Sequence, residues 1–221
     1  MRKFAALTAM SLLLVAPLSA QSSGNFSAAI NTTQCVIDNG DGSLDGGIGA
    51  TFLQTTLKTP NSSSTALVVR PSMVTGLFTK SRVDETTTTS TAWAGLQVRV
   101  SIDGKVMAPG SPVGSSSASD GWVYYDKRWQ QVNQNFLGQI TNCVDNLALN
   151  CALEVIQATL SAKSMDFVAG NVGGGDHTLR VDWRFEDSDA SGGNAAACVG
   201  PAVLTVTQTK TFSTGGGIVI Q

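Results

Sequence analysis

His177 is the only histidine in the 221-residue chain, so any serine-hydrolase triad has to run through it. Asp176 or Asp182 would have to orient its ring, with a serine as nucleophile. No Gly-x-Ser-x-Gly elbow is present to present that serine. The residues after His177 alternate as a strand does, which makes it a partly buried histidine at a turn. Glycoside hydrolysis needs two carboxyl groups at a set separation. The glutamates, Glu85, Glu154 and Glu186, stand far apart in sequence and in no suggestive setting.

The acidic run Asp38-Asn39-Gly40-Asp41-Gly42-Ser43-Leu44-Asp45 offers oxygen ligands on a tight backbone, the combination calcium uses. Aligning Asp41-Gly42 with the central Asp-Gly of a calcium loop puts Ile37 and Ile48 at its two ends, where Asp and Glu are required. The run therefore reads as a hairpin turn, with calcium at Asp38, Asn39, Asp41 and Asp45 as the one cofactor alternative. Trp122, Tyr124, Tyr125 and Trp129, with Trp93 nearby, could form a sugar-stacking platform, since such rings offer a flat apolar face and a polar edge. The competing reading is that they fill the core.

The cysteines are Cys35, Cys143, Cys151 and Cys198. An even number in an exported chain argues for disulfides. Three connectivities exist; the favoured one joins Cys143 to Cys151 in a short loop and Cys35 to Cys198. No Cys-x-x-Cys pair is present and one histidine does not complete a zinc set, so no metal is expected.

Export follows from the first 20 residues. Arg2 and Lys3 precede the apolar run Phe4 to Val15, and Leu18-Ser19-Ala20 ends on a small residue. This reads as a secretory signal peptide of bacterial character, too short to span a bilayer. No later segment is apolar enough to cross a membrane. The mature protein, 21–221, is thus expected outside the cytoplasm, periplasmic or extracellular. At about 200 residues it can bury roughly 70% of its unfolded surface and needs no metal to hold a core. A net charge of −2, made more negative by loss of Arg2 and Lys3, excludes nucleic acid and anionic membrane as partners.

The elements that must position these groups are strands. Leu179, Val181, Trp183 and Phe185 alternate with Arg180, Asp182, Arg184 and Glu186, putting four apolar groups on one face and four charged groups on the other. Leu96, Val98, Val100 and Ile102 alternate likewise with Gln97, Arg99, Ser101 and Asp103, and Asp103-Gly104 supplies a hairpin turn. Gly49–Lys58, Ala66–Thr79 with a bend at Pro71, Trp122–Tyr125 and Val203–Phe212 read as further strands. Trp129, Val132, Phe136 and Ile140 fit one face of a short helix over 127–140. The expected fold is all-β: a single antiparallel β-sandwich, jelly-roll or immunoglobulin-like, of roughly nine to eleven strands with at most one short helix.

Gly175-x-His177-Thr178-Leu179-x-Val181-x-Trp183 resembles the penultimate strands of jelly-roll and immunoglobulin-like sandwiches. The chain as a whole resembles secreted bacterial β-sandwich proteins without assigned activity. The resemblance concerns fold and implies no functional residue.

The expected function is accordingly non-enzymatic: an exported sandwich with a structural, adhesive or surface-interaction role toward a protein or glycan surface. A carbohydrate-binding module is the first alternative and a secreted hydrolase the second. Ile218-Val219-Ile220 after a Ser-Thr-Gly-Gly-Gly hinge is expected to pair with a sheet edge, within the molecule or in a neighbouring copy, which makes homo-oligomers an expectation as well.

Overall fold

Leu179, Val181, Trp183 and Phe185 are buried, while Arg180, Arg184 and Glu186 on the alternate positions reach solvent. The same alternation runs along most of β5 (Thr65–Val83). The computed structural model describes residues 26–38, 44–46, 51–61, 65–84, 87–110, 121–135, 151–187 and 194–210. The strands are β1 (Phe26–Asn31), β2 (Gln34–Asp38), β3 (Leu44–Gly46), β4 (Thr51–Thr59), β5 (Thr65–Val83), β6 (Thr89–Ile102), the two-residue β7 (Lys105–Val106), β8 (Val123–Asn133), β9 (Leu153–Ser164), β10 (Phe167–Val172), β11 (Gly175–Asp187) and β12 (Asn194–Lys210). Among the described residues, only Gln134 and Asn135 are helical, in a 3₁₀ turn after β8.

They form two antiparallel sheets, as the patterning requires of a sandwich. The larger runs β10-β5-β12-β2-β3, with β9 also beside β5 and β1 also beside β12; the smaller runs β4-β11-β6-β7, with β8 also beside β6. The 19-residue β5 and 17-residue β12 form the spine of the larger sheet. On the flank of β5, β9 and β10 lie end to end and break opposite Arg70-Pro71. Proline has no N–H to give a ladder, so the partner strand can interrupt there without leaving a donor unpaired. On the flank of β12, β1 and β2 break in the same way opposite Gly200-Pro201. Gly200 has φ +107°, and a Cβ there would lie 2.5 Å from Thr32 O, so glycine is required.

Between the sheets, Leu67, Val69, Leu77, Leu204 and Val206 meet Leu96, Val98, Leu179, Val181 and Trp183, all essentially without solvent contact. Each such side chain contributes about 1.5–3 kcal/mol on burial. Trp183 is the largest of them, and its Nε1 donates to Gln34 Oε1 at 2.9 Å, linking β11 to the opposite sheet. Cys35 and Cys198 face each other across β2 and β12 and form a disulfide, as the sequence suggested. Cys151 is also disulfide-bonded. Cys143 lies outside the described residues, as do residues 1–20 and the C-terminal 211–221.

One local expectation is corrected. Lys127 to Asn133 is not helical: β8 runs straight on, pairing with β6 from Val98↔Val123 to Thr89↔Asn133. The 3-4 spacing of Trp129 and Val132 is accidental, since Trp129 faces solvent and Val132 the interior. Pairing with β6 satisfies backbone groups that a helix would leave open along that strand. Buried Gln130 adds two bonds to the other sheet: its Oε1 accepts from Thr79 Oγ1 at 3.1 Å and its Nε2 donates to Val155 O at 3.0 Å. The Gly173–Gly175 turn carries the chain from β10 in the larger sheet to β11 in the smaller.

Candidate functional site

The outer face of the smaller sheet gathers most of the aromatic candidates. Register sets Trp93 of β6 opposite Trp129 of β8, Gly95 opposite Lys127, and Gln97 opposite Tyr124. On the other side of β6, Glu186, Arg184 and Asp182 of β11 oppose Gly95, Gln97 and Arg99. Trp129 is 60% exposed and Tyr124 43%, while Trp93 and Trp122 are half-buried. Lys127 Nζ lies over the rings of Trp93 and Tyr124, 4.2 and 4.7 Å from their centroids. The Arg99 and Arg184 guanidinium groups lie over Trp122, at 4.6 and 4.8 Å. Ammonium and guanidinium groups are attracted to a ring face by its quadrupole, so these contacts hold rings and cations in place together.

Gly95 makes this packing feasible. A Cβ there would sit 3.0 Å from both Trp93 Cζ3 and Tyr124 Cε1 and 3.1 Å from Glu186 O. The rings lean into the space a side chain would take. A polar ladder braces them. Glu186 Oε2 accepts from Tyr124 Oη at 2.5 Å and from Gln97 Nε2 at 2.6 Å, and Gln97 Oε1 accepts from Arg184 Nε at 2.7 Å. The bond to Glu186, helped by partial burial, raises the Tyr124 phenol above its ordinary pKa, so Tyr124 stays a donor at neutral pH. Below it, buried Asp182 accepts from Arg99 at 2.9 Å and Arg180 at 3.3 Å. The result is a braced sheet surface with exposed ring and hydrogen-bonding edges, chemically suited to stacking a sugar and meeting its hydroxyls.

Tyr125 does not belong to it. The β6–β8 register shifts between Leu96 and Gln97, so that Tyr125 and Asp126 both turn inward. Such a bulge breaks the alternation on which a sequence reading depends. Tyr125 Oη enters the break in the β5 flank, 3.0 Å from Pro71 O and 2.5 Å from Lys163 O, and burial pushes its pKa up to about 12. Asp126 Oδ1 accepts from Lys163 Nζ, and its Oδ2 from Thr75 Oγ1 at 2.6 Å and Ser161 Oγ at 3.3 Å. These contacts tie β8 to β5 and β9 across the sandwich.

His177 pairs with neither Asp176 nor Asp182. Its Nδ1 lies 2.7 Å from Asp103 Oδ2, and its Nε2 lies 3.0 Å from both Gly173 O and Thr59 Oγ1. Asp103 also accepts from Thr178 N at 2.8 Å. Thr59, His177 and Asp103 thus stand in the order of a triad, but Thr59 is 2% exposed and its hydroxyl donates to Gly173 O. The group ties three chain turns together at one end of the sandwich. Burial opposes the charged ring, but the bonds to Asp103 and Gly173 outweigh it and raise the His177 pKa. Asp103 is lowered, burial again being outweighed by His177 and the Thr178 amide.

The two ends of the acidic run pair as β2 and β3, with Ile37 opposite Asp45 and Asp38 opposite Leu44. Asn39 and Asp41 lie outside the described residues. Among the described residues no three His, Cys, Asp or Glu side chains are grouped to hold a metal. No described helix is long and apolar enough to cross a membrane.

The outer face of the larger sheet has a different character. Leu160 and Ile30 are each 80% exposed and Phe26 65%, with Ile156, Ile37 and Val203 also open to solvent. Register places Leu160 beside Gly76 and the Cys35–Cys198 bridge, and Ile30 beside Val203. No known family matches the chain, nor does any curated protein.

Proposed function

We propose that the protein is an exported, non-enzymatic surface-interaction module that binds glycan chains along the outer face of its smaller sheet. One observation carries the reading: Trp129, 60% exposed, lies opposite Trp93 on the outer sheet face and in line with Tyr124 and Lys127. A large ring left in water on a rigid strand is costly unless it has a ligand to stack, and a polar ladder beside it offers donors for hydroxyl groups. The disulfide across β2 and β12 supports export, since such bridges persist in oxidising compartments. The buried Thr59 hydroxyl argues against the hydrolase alternative. The test is affinity electrophoresis of the mature protein through gels containing polysaccharides. Retardation that Trp129→Ala reduces about tenfold or more in affinity supports the reading; a Trp129→Ala variant retarded as strongly as wild type counts against it.

A second reading has its own support. Six large apolar side chains exposed on one face of the larger sheet make a patch of the kind that marks protein contacts. It fits a structural or adhesive role through association of copies. Light scattering of wild type against Leu160→Lys separates the two states.

A further inference from the structure

We propose that the glycan taken by this face is acidic, a polysaccharide whose units carry carboxylate or sulfate groups. The inference rests on the glycan reading above and adds the charge of the ligand. Five cations, Lys58, Arg99, Lys127, Arg180 and Arg184, share the outer face with three carboxylates, Asp176, Asp182 and Glu186. Two of these carboxylates are occupied within the face, Asp182 by Arg99 and Arg180, and Glu186 by Tyr124 and Gln97. Among the described residues, no carboxylate forms an ion pair with Lys127 or Arg184. The face is therefore positive on a chain whose formal charge is −2. A protein that only had to stay soluble would gain nothing from concentrating its scarce cations there, whereas a charged patch raises the local concentration of an oppositely charged ligand.

Placement strengthens the case. Lys127 is two residues from Trp129 on the same face of β8, about 6–7 Å along the strand. A sugar stacked on Trp129 brings a substituent within reach of that ammonium. Arg184 stands beside Tyr124 across Gln97 and presents a planar fork of donors, the geometry that suits carboxylate or sulfate oxygens. Both cations are already fixed over rings, so binding costs them little side-chain freedom.

The test compares one backbone with and without charge: polygalacturonate against its methyl-esterified form, with alginate and heparin as further polyanions and neutral xylan and galactan as controls. Isothermal titration of the mature protein is expected to give about tenfold or tighter binding to at least one polyanion than to any neutral chain. That preference is expected to collapse when NaCl rises from about 0.1 to about 1 M, where the screening length falls from about 10 to about 3 Å. Lys127→Gln with Arg184→Gln is expected to abolish the preference and to keep weak stacking on Trp129. Equal affinity for charged and uncharged chains, or a preference that survives salt and the double substitution, overturns the inference and leaves the glycan reading standing. Failure to bind any polysaccharide, or tighter binding to single-stranded DNA than to every polyanion tested, overturns both.

Discussion

Replacing Asp126 by asparagine removes a charge on which three side chains converge. Its carboxylate is almost fully buried and accepts from Lys163, from Thr75 at 2.6 Å and from Ser161 at 3.3 Å. Asparagine keeps the shape and one acceptor, so the Thr75 bond can survive, but its NH2 then faces the Lys163 ammonium. Two charge-assisted bonds are lost or weakened, at about 1.5–3 kcal/mol each. Lys163 is 37% exposed and can turn to water, which trims the larger figure. The expected net loss is about 2–4 kcal/mol, or roughly 5–15 °C in Tm for a chain of this length. Near-UV circular dichroism at pH 7, with four tryptophans as reporters, measures it. Burial pushes the Asp126 pKa up, but Lys163 and Thr75 outweigh it and hold the group below its ordinary 3.8. Its contribution is thus complete above that value and lost as pH falls through the lower folded pKa. Wild type and variant should converge in acid. A Tm unchanged at pH 7, or a gap that persists in strong acid, would refute the assignment of the loss to this charge.

Three other outcomes are expected. The Cys35–Cys198 bridge closes a span of 163 residues, so Cys35→Ala with Cys198→Ala is expected to lower unfolding free energy in urea by up to about 5 kcal/mol, with no loss as the contrary result. His177 has a raised folded pKa, so its ionic contribution is complete below its ordinary 6.5 and disappears as pH rises through the folded value. The stability difference between wild type and His177→Ala is therefore expected to shrink on going from mildly acidic to mildly alkaline pH, and a difference constant across that range contradicts the Asp103 pairing. Deleting residues 214–221 is expected to change either thermal stability or the mass seen by light scattering; unchanged values for both show that the apolar C-terminus pairs with no edge.

The strands were legible where one face is dry. Leu179 to Glu186 and Leu96 to Asp103 carry strict alternation because their inner residues meet a core and their outer residues meet water. The region after Tyr125 was not legible. A bulge at Tyr125 and Asp126 breaks the two-residue period, and β8 then carries polar Gln130 inward because its partner there is the side chain of Thr79 rather than a hydrocarbon wall. The aromatic members of the candidate site could be named from composition, but Tyr125 was misplaced by that same bulge. Lys127, Arg99, Arg184 and Gly95 were missed because their part depends on which strands are neighbours. Arg99 precedes Trp122 by 23 positions and Arg184 follows it by 62, and only the β8-β6-β11 order brings them over one ring. His177 failed in the same way: the sequence offers nearby Asp176 and Asp182, and the fold supplies Asp103 from a hairpin turn 74 residues away.

The central claim is that the outer face of the smaller sheet binds glycan, and tryptophan fluorescence tests it most directly. Soluble polysaccharides, neutral and acidic, are titrated into a protein of residues 21–221, its Trp129→Ala variant, and a Trp183→Phe variant that loses a buried indole and its bond to Gln34 but leaves the outer face intact. A saturable change in wild type and Trp183→Phe, absent in Trp129→Ala while its circular dichroism stays native, is the expected result. A saturable change of the same size and midpoint in Trp129→Ala, or no change with any polysaccharide, contradicts the account.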